Sequence, residues 1–233
     1  MGQDIVENLA RVRERIAAAA DRSGRDPSEV TLVVVAKTRT PLEIEAAYRA
    51  GVRHIGENRV EEAESKRSEL DLPGATWHMV GHLQSRKAGR AIQCFDIVHS
   101  VDSLKLARRL DRLLAERDET LSVLVQVNVS GEASKYGFSL SEQGVLEQAV
   151  REMVSLPRLR VEGLMTVAFI AADPEEVRPV FARLRQVRDT LREQFPQGGW
   201  PHLSMGMTDD YEVAIEEGAT LVRIGRAIFG PRV

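Results

Sequence analysis

The sequence predicts a closed parallel (β/α)8 TIM barrel with an extra N-terminal helix, and three observations predict it. Eight short β-branched runs alternate strictly with eight longer, charged, helix-periodic segments. At 233 residues the chain has the length of one such barrel. The apolar runs also end in polar or glycine-containing groups on one side, where this fold carries its chemistry. The competing topology is an open doubly wound sheet, whose fingerprint would be G-x-G-x-x-G after the first strand. That turn reads AKTRTP instead. No Pro-, Gly- or Ser-rich stretch marks a linker, so residues 1–233 are read as a single domain.

Each element has its own signal. Residues 3–23 place Ile5, Leu9, Val12 and Ile16 along one helical face, with Gly24 as a stop. Residues 31–36 (TLVVVA) are almost wholly apolar, as a strand buried on both faces is. A helix over 41–50 opens on Pro41 and closes at Gly51. A strand at 54–56, a helix from Val60, a strand at 76–80 and a short basic helix over 85–92 follow. Next come a strand at 96–100 with a helix over 103–117, and a strand at 121–128 with a helix over 141–155. The strand at 160–165 precedes a helix over 174–195, and that at 202–205 precedes one over 209–217. A last strand at 220–224 runs into a short turn of helix over 226–229.

Composition removes several function classes. With 32 Lys+Arg against 35 Asp+Glu, the net charge of −3 lacks the basic excess of a dedicated nucleic-acid binder. Arg86, Lys87 and Arg90 on the short basic helix are read as a solvated face. No apolar run reaches the roughly 20 residues that span a bilayer. The N-terminus alternates charged and apolar residues without the apolar core of a secretory signal, and Gly2 lacks the hydroxyl residue of a myristoylation site. The single cysteine, Cys94, allows no internal disulfide and no cysteine metal cluster. The expectation is a soluble, cytoplasmic protein.

Two constellations at the strand ends carry chemistry. Val33, Val35 and Lys37 share one face of the first strand. Lys37 is then either a rim lysine that snorkels or pairs with an acid such as Glu57, or an amine whose pKa burial lowers into a nucleophile toward a carbonyl. The second constellation is Ser204-Met-Gly206-Met-Thr208-Asp-Asp, a strand passing through glycine into a helix, joined by Arg223-Ile-Gly225-Arg226. Helix N-termini bind phosphate, and phosphate sites after strands seven and eight recur on this fold. Plain helix capping by Thr208 or Asp209 is the other reading and is compatible with it. A carbonyl trap and a phosphate cradle on one rim point to a phosphorylated aldehyde. Pyridoxal 5′-phosphate (PLP) fits, and so does the sugar-phosphate substrate of a class I aldolase.

The motifs VVVAKTRT, GVRHIGENRVEEA, WHMVGHLQSRKA, VHSVDS, LVQVNVSGEASKYGF, LPRLRVEGLM, LSMGMTDDYEVAIEEG and VRIGRAIFG appear in order along nearly the whole chain. As a set they resemble the pyridoxal phosphate homeostasis protein family, whose fold is similar to the N-terminal barrel of alanine racemase. The resemblance implies PLP held as an aldimine on Lys37, with phosphate bound around Ser204, Gly206, Thr208 and Gly225. It implies storage, supply or buffering of PLP rather than turnover of a substrate, with apo PLP-dependent enzymes as recipients. Some positions depart from the family pattern. Arg59 stands where an aromatic residue is more usual, Thr208 replaces a serine, and the strand at 160–165 lacks a following proline. Arg226 occupies the place of a small hydroxyl residue, so its backbone N–H is the group left to reach the phosphate.

Leu221, Arg223 and Gly225 share a strand face, so Arg223 is placed to donate to the pyridine nitrogen, where an always-charged guanidinium disfavours pyridinium formation. Asn58 is a candidate for a hydrogen bond to the cofactor ring, or else a capping Asn. Lys135, in a loop with Gly at both ends, is a solvated lysine or a secondary ligand contact active in release. The five histidines form no recognisable metal pattern, and no metal is expected. The enzymatic alternative is an amino-acid racemase on the same barrel. Against it, the sequence as given ends after the eighth unit, without the β-rich domain that supplies the racemases' catalytic tyrosine. Of Tyr48, Tyr136 and Tyr211, only the last two are placed near the rim. Without that domain the chain is read as a monomer.

Overall fold

A computed structural model describes residues 2–132, 134–142 and 144–231. Its strands are β1 (Thr31–Val35), β2 (His54–Glu57), β3 (Thr76–Met79), β4 (Ile97–Val101), β5 (Leu121–Asn128), β6 (Phe138–Ser139), β7 (Leu159–Met165), β8 (His202–Ser204) and β9 (Leu221–Ile224). They run in the order β4-β3-β2-β1-β9-β8-β7-β5, and a β4–β5 pairing closes the ring. The barrel read from the alternation is therefore the observed fold. β6 lies outside the ring, pairing only with the end of β5.

The helices are α1 (Gly2–Arg22), α2 (Pro41–Arg49), α3 (Val60–Glu69), α4 (Ala88–Cys94), α5 (Leu104–Ala115), α6 (Val145–Met153), α7 (Arg178–Gln194), α8 (Tyr211–Glu216) and α9 (Arg226–Phe229). α1 buries Ile5, Leu9, Val12 and Ile16 and packs on α2, α8 and α9, joining the first unit to the last. α2 starts with a full capping box: the Thr40 hydroxyl accepts from the Glu43 N–H, and the Glu43 carboxylate accepts from the Thr40 N–H. α6 begins four residues later than its periodicity suggests. Residues 138 and 139 instead pair their backbone with Val127 and Asn128, which satisfies main-chain groups that an earlier helix start would leave behind.

Two cores follow from strand alternation. Outward residues such as Val34, Ile55, Val98, Val123, Leu203 and Val222 pack against the helices. Inside the barrel the apolar cluster is small, with Val33, Leu124, Met165 and Leu221 at its centre. Much of the remaining interior is polar, with His78, His99, Ser204 and Arg223 all buried. Among the described residues no helix is long and apolar enough to cross a membrane.

Removing the α2 cap by Thr40→Ala is expected to lower unfolding free energy by about 1 kcal/mol. Urea unfolding with an unchanged m-value checks this, and an unshifted midpoint would show that the cap contributes nothing.

Candidate functional site

Register places the candidate residues before any side chain is considered. Val33 pairs with Arg223 and Val34 with Ile224 on one side of β1, and Val35 pairs with Gly56 on the other. Extended along the strands, this register sets Gly225 beside Val35 and Asn58 beside Lys37 at the carboxyl-end rim.

The backbone around Lys37 is gripped from both sides by α3. Lys66, almost fully buried, donates to the Ala36 carbonyl at 2.7 Å and to Glu57 Oε1 at 2.6 Å. Glu62 accepts from the Thr38 N–H at 2.9 Å, and Thr38 sits in the left-handed region at φ 63°. Lys37 is itself only partly buried. Of the acids considered as its partner, Glu57 has one oxygen taken by Lys66, while Oε2 is buried without a hydrogen bond. Burial pushes the Glu57 carboxyl pKa up, against the opposing pull of Lys66.

Arg223 lies inside the barrel, 4% exposed. It donates to Ser204 Oγ at 2.6 Å and to the Thr166 carbonyl at 2.8 Å. Ser204, expected among the phosphate contacts, is fully buried, and its hydroxyl is engaged by Arg223 and by His99 Nδ1 at 2.8 Å. Behind it His99 Nε2 lies 2.9 Å from His78 Nδ1, and His78 Nε2 lies 3.0 Å from His54 Nδ1. Desolvation pushes these imidazoles toward the neutral form, His78 down to about 3 and His99 well below the ordinary value. His99 lies within β4, facing the interior.

The turn after β8 is tightly built. Gly206 has φ +91°, and a Cβ there would lie 2.6 Å from that of Ala214, so no larger residue fits without displacement. A Cβ on Gly225 would lie 2.8 Å from the Val35 carbonyl oxygen. The Met207 N–H donates to Asp210 Oδ1 at 2.6 Å, and the Gly206 carbonyl accepts from the Arg223 N–H at 3.0 Å. Thr208 is half-buried beside this turn. The exposed Arg226 guanidinium joins the two junctions by donating to both Asp209 oxygens, at 2.5 and 2.6 Å.

Lys135 belongs to the loop after β5. It pairs with Glu132 at 2.5 Å and lies 5.9 Å from the Phe169 ring centroid. Next to it Tyr136 stacks on His82 at 3.7 Å, and His82 Nδ1 is 2.9 Å from Asp102. Tyr211 does not reach the rim. It is buried, and Arg15 of α1 lies over its ring. The outward direction of the first α8 residue accounts for this. Lys87 and Arg90 are paired with Glu61 and Glu64 of α3, in keeping with a solvated face. Among the described residues no group of three His, Cys, Asp or Glu is arranged to hold a metal ion.

Sequence reasoning missed Lys66, Glu62 and the histidine row. The alternation that put Val33, Val35 and Lys37 on one face, applied to β2, β3 and β4, would have placed the histidines inside. Lys66 and Glu62 read as ordinary helix-surface charges, and only the tertiary packing of α3 identifies them.

Fold and rim define a lysine-bearing barrel of the alanine racemase N-terminal type. The family model described as "Alanine racemase, N-terminal domain" matches residues 8–233. The chain is 45% identical over 229 residues to the pyridoxal phosphate homeostasis protein of Pseudomonas aeruginosa, covering 98% of this chain and 96% of that one. PipY of Synechococcus elongatus, solved with PLP bound, superposes with TM-score 0.84 at 39% identity, covering 97% of this chain and all of that one. Alanine racemase of Corynebacterium glutamicum shares the fold at TM-score 0.73 and 16% identity, 99% of this chain matching 62% of that enzyme. The chain belongs to the pyridoxal phosphate homeostasis protein family.

An unfolded histidine protonates near pH ~6.5, but His78 only near about 3. Between those values the unfolded state binds more protons, so stability falls as the pH drops below ~6.5. Replacing His78 with Gln is expected to make that fall shallower by up to about 1.4 kcal/mol per pH unit. Urea unfolding across this range checks it; parallel profiles for the two proteins would contradict a neutral buried His78.

Proposed function

We propose that this protein binds PLP through Lys37 and acts in its intracellular storage, supply or buffering, without a turnover reaction of its own. The observation that carries the reading is the placement of Lys37, its backbone clamped by α3, at the end of the strand next to the one that carries the donor-only Arg223, with glycine turns after β8 and β9. The donor set fits the group: an amine for the aldehyde, a guanidinium for the ring nitrogen, and hydroxyl, backbone and Arg226 donors for the phosphate. Membership of a family whose relatives are named for PLP homeostasis supports the same reading.

When bound, PLP supplies an electrophilic carbonyl carbon and a ring whose capacity as an electron sink depends on protonation of its nitrogen. The residues of this chain set how much of that chemistry is used. The α3 clamp fixes the backbone from which the Lys37 side chain leaves the rim. Arg223 has only donors, so it hydrogen-bonds a bare ring nitrogen and cannot hold a proton between itself and that atom as a carboxylate does. Ser204 and the Thr166 carbonyl fix the guanidinium in place, so Ser204 acts by positioning Arg223. Thr208, Gly206, Gly225 and Arg226 are assigned to the phosphate and Asn58 to the ring. Lys135, on the loop after β5, is assigned a secondary part in release. Apo-enzymes that use PLP are the proposed recipients, and the chain is taken to act as a cytoplasmic monomer.

Lys37→Ala is expected to abolish the visible absorbance of PLP-loaded protein and the borohydride-dependent mass increase on the peptide containing residue 37. Lys135→Ala is expected to leave both in place, and the reverse pattern would overturn the assignment. Loaded protein is further expected to activate an apo PLP-dependent enzyme stoichiometrically. Sustained turnover on a panel of free amino acids, at rates of an ordinary enzyme, would instead support the racemase reading.

A further inference from the structure

The histidine row inside the barrel has a polarity, and Arg223 sets it. A guanidinium can only donate, so Arg223 Nη1–H uses one lone pair of Ser204 Oγ. The other partner of that hydroxyl among the described residues is His99 Nδ1. If His99 Nδ1 also carried a proton, the buried hydroxyl would accept twice and its own proton would have no acceptor among the described residues. Ser204 therefore donates to His99 Nδ1. One proton per neutral ring then fixes the rest: His99 Nε2–H donates to His78 Nδ1, and His78 Nε2–H donates to His54 Nδ1.

The far end of this row meets water. His54 is half-buried at the start of β2 and lines an open cleft of about 430 Å³ at the amino end of the barrel, with Arg13, Pro27, Thr31 and Arg53. We propose that His54, His78 and His99 form a one-way hydrogen-bond relay that positions Arg223 and that is reversed when His54 is protonated from this cleft. The reversal takes up one proton from water. His54 then carries protons on both nitrogens and donates from Nδ1 to His78 Nε2. The single protons of His78 and His99 move to Nδ1, and His99 Nδ1–H donates to Ser204. The Ser204 proton loses its acceptor, and the hold of Ser204 on Arg223 changes at the opposite end of the barrel. By linkage, whatever draws Arg223 away from Ser204 eases protonation of His54.

The groups facing His54 oppose its charging. His78 of β3 touches it, His202 of β8 acts on it as a second basic ring, and Arg13 of α1 and Arg53 line the same cleft. Burial is the larger cause and His202 the smaller, so the midpoint falls below the ordinary value of about 6.5. Glu162 of β7 acts on His202 in the opposite sense.

The relay is tested on the full apo chain labelled with 15N-histidine, by two-bond 1H–15N correlation through an acid titration. At neutral pH His78 and His99 are expected as Nε2–H rings, and on acidification both are expected to become Nδ1–H at one shared midpoint. His54→Gln is expected to keep the neutral-pH pattern and remove the switch. Nδ1–H on His99 at neutral pH, or separate midpoints for the two rings, would overturn the relay, and this assignment in the natural chain stands whether or not the variant folds. The link to the cofactor rests on the proposed function and has its own readout. The visible spectrum of PLP-loaded protein is expected to shift at the same midpoint, and in His54→Gln not to shift there. A switch in the rings with no spectral change would overturn the coupling to Arg223. Absence of a visible band at neutral pH would count against the cofactor reading and leave the ring assignments standing.

Discussion

A permanent positive charge inside the barrel organises the interior of this protein. Arg223 is buried, and no carboxylate is bonded to it among the described residues. Burying an ion without a bonded partner costs several kcal/mol even after relaxation. The interior answers with oriented dipoles: the Thr166 carbonyl, the Ser204 hydroxyl and the rings behind it. Asp210, itself pushed up by burial, adds a favourable charge at longer range. Burial pulls the guanidinium pKa down to about 10, which still leaves it charged at neutral pH. The small size of the apolar cluster around Val33, Leu124, Met165 and Leu221 follows, because much of the space that aliphatic layers fill in other barrels is given to this network.

The rim inherits its geometry from the same strands. β1 lies between β9 and β2, so the register that lines up Val33 with Arg223 also sets Val35 beside Gly225 and, two residues on, Lys37 beside Asn58. α3 completes the arrangement by holding the Ala36 carbonyl with Lys66 and the Thr38 amide with Glu62. On the proposed reading, an amine on this clamped backbone captures the cofactor while Arg223, a donor that cannot accept a proton, faces its ring nitrogen.

Much of this was legible in the sequence, for identifiable reasons. The alternation of apolar runs with helical periods announced the barrel, because parallel strands buried on both faces leave a strong signal. Lys37 stood out as a charge at the end of five apolar residues, and the Gly206 and Gly225 turns stood out by composition. The contacts of Ser204 were not legible: its place in the LSMGMT turn suggests phosphate, and only the fold shows its hydroxyl beside Arg223 and His99. The extra strand β6 escaped notice because a two-residue pairing has no period. The α3 clamp escaped because Glu62 and Lys66 gain their meaning from packing between elements.

The central claim is that Arg223 keeps the ring nitrogen of a captured cofactor unprotonated. Loading the protein with PLP labelled with 15N at the ring and recording that nucleus by NMR addresses it directly. The account predicts the downfield shift of a bare pyridine nitrogen accepting one hydrogen bond, moving further downfield when Arg223 is replaced by Leu. A pyridinium shift in the natural chain at neutral pH would contradict it.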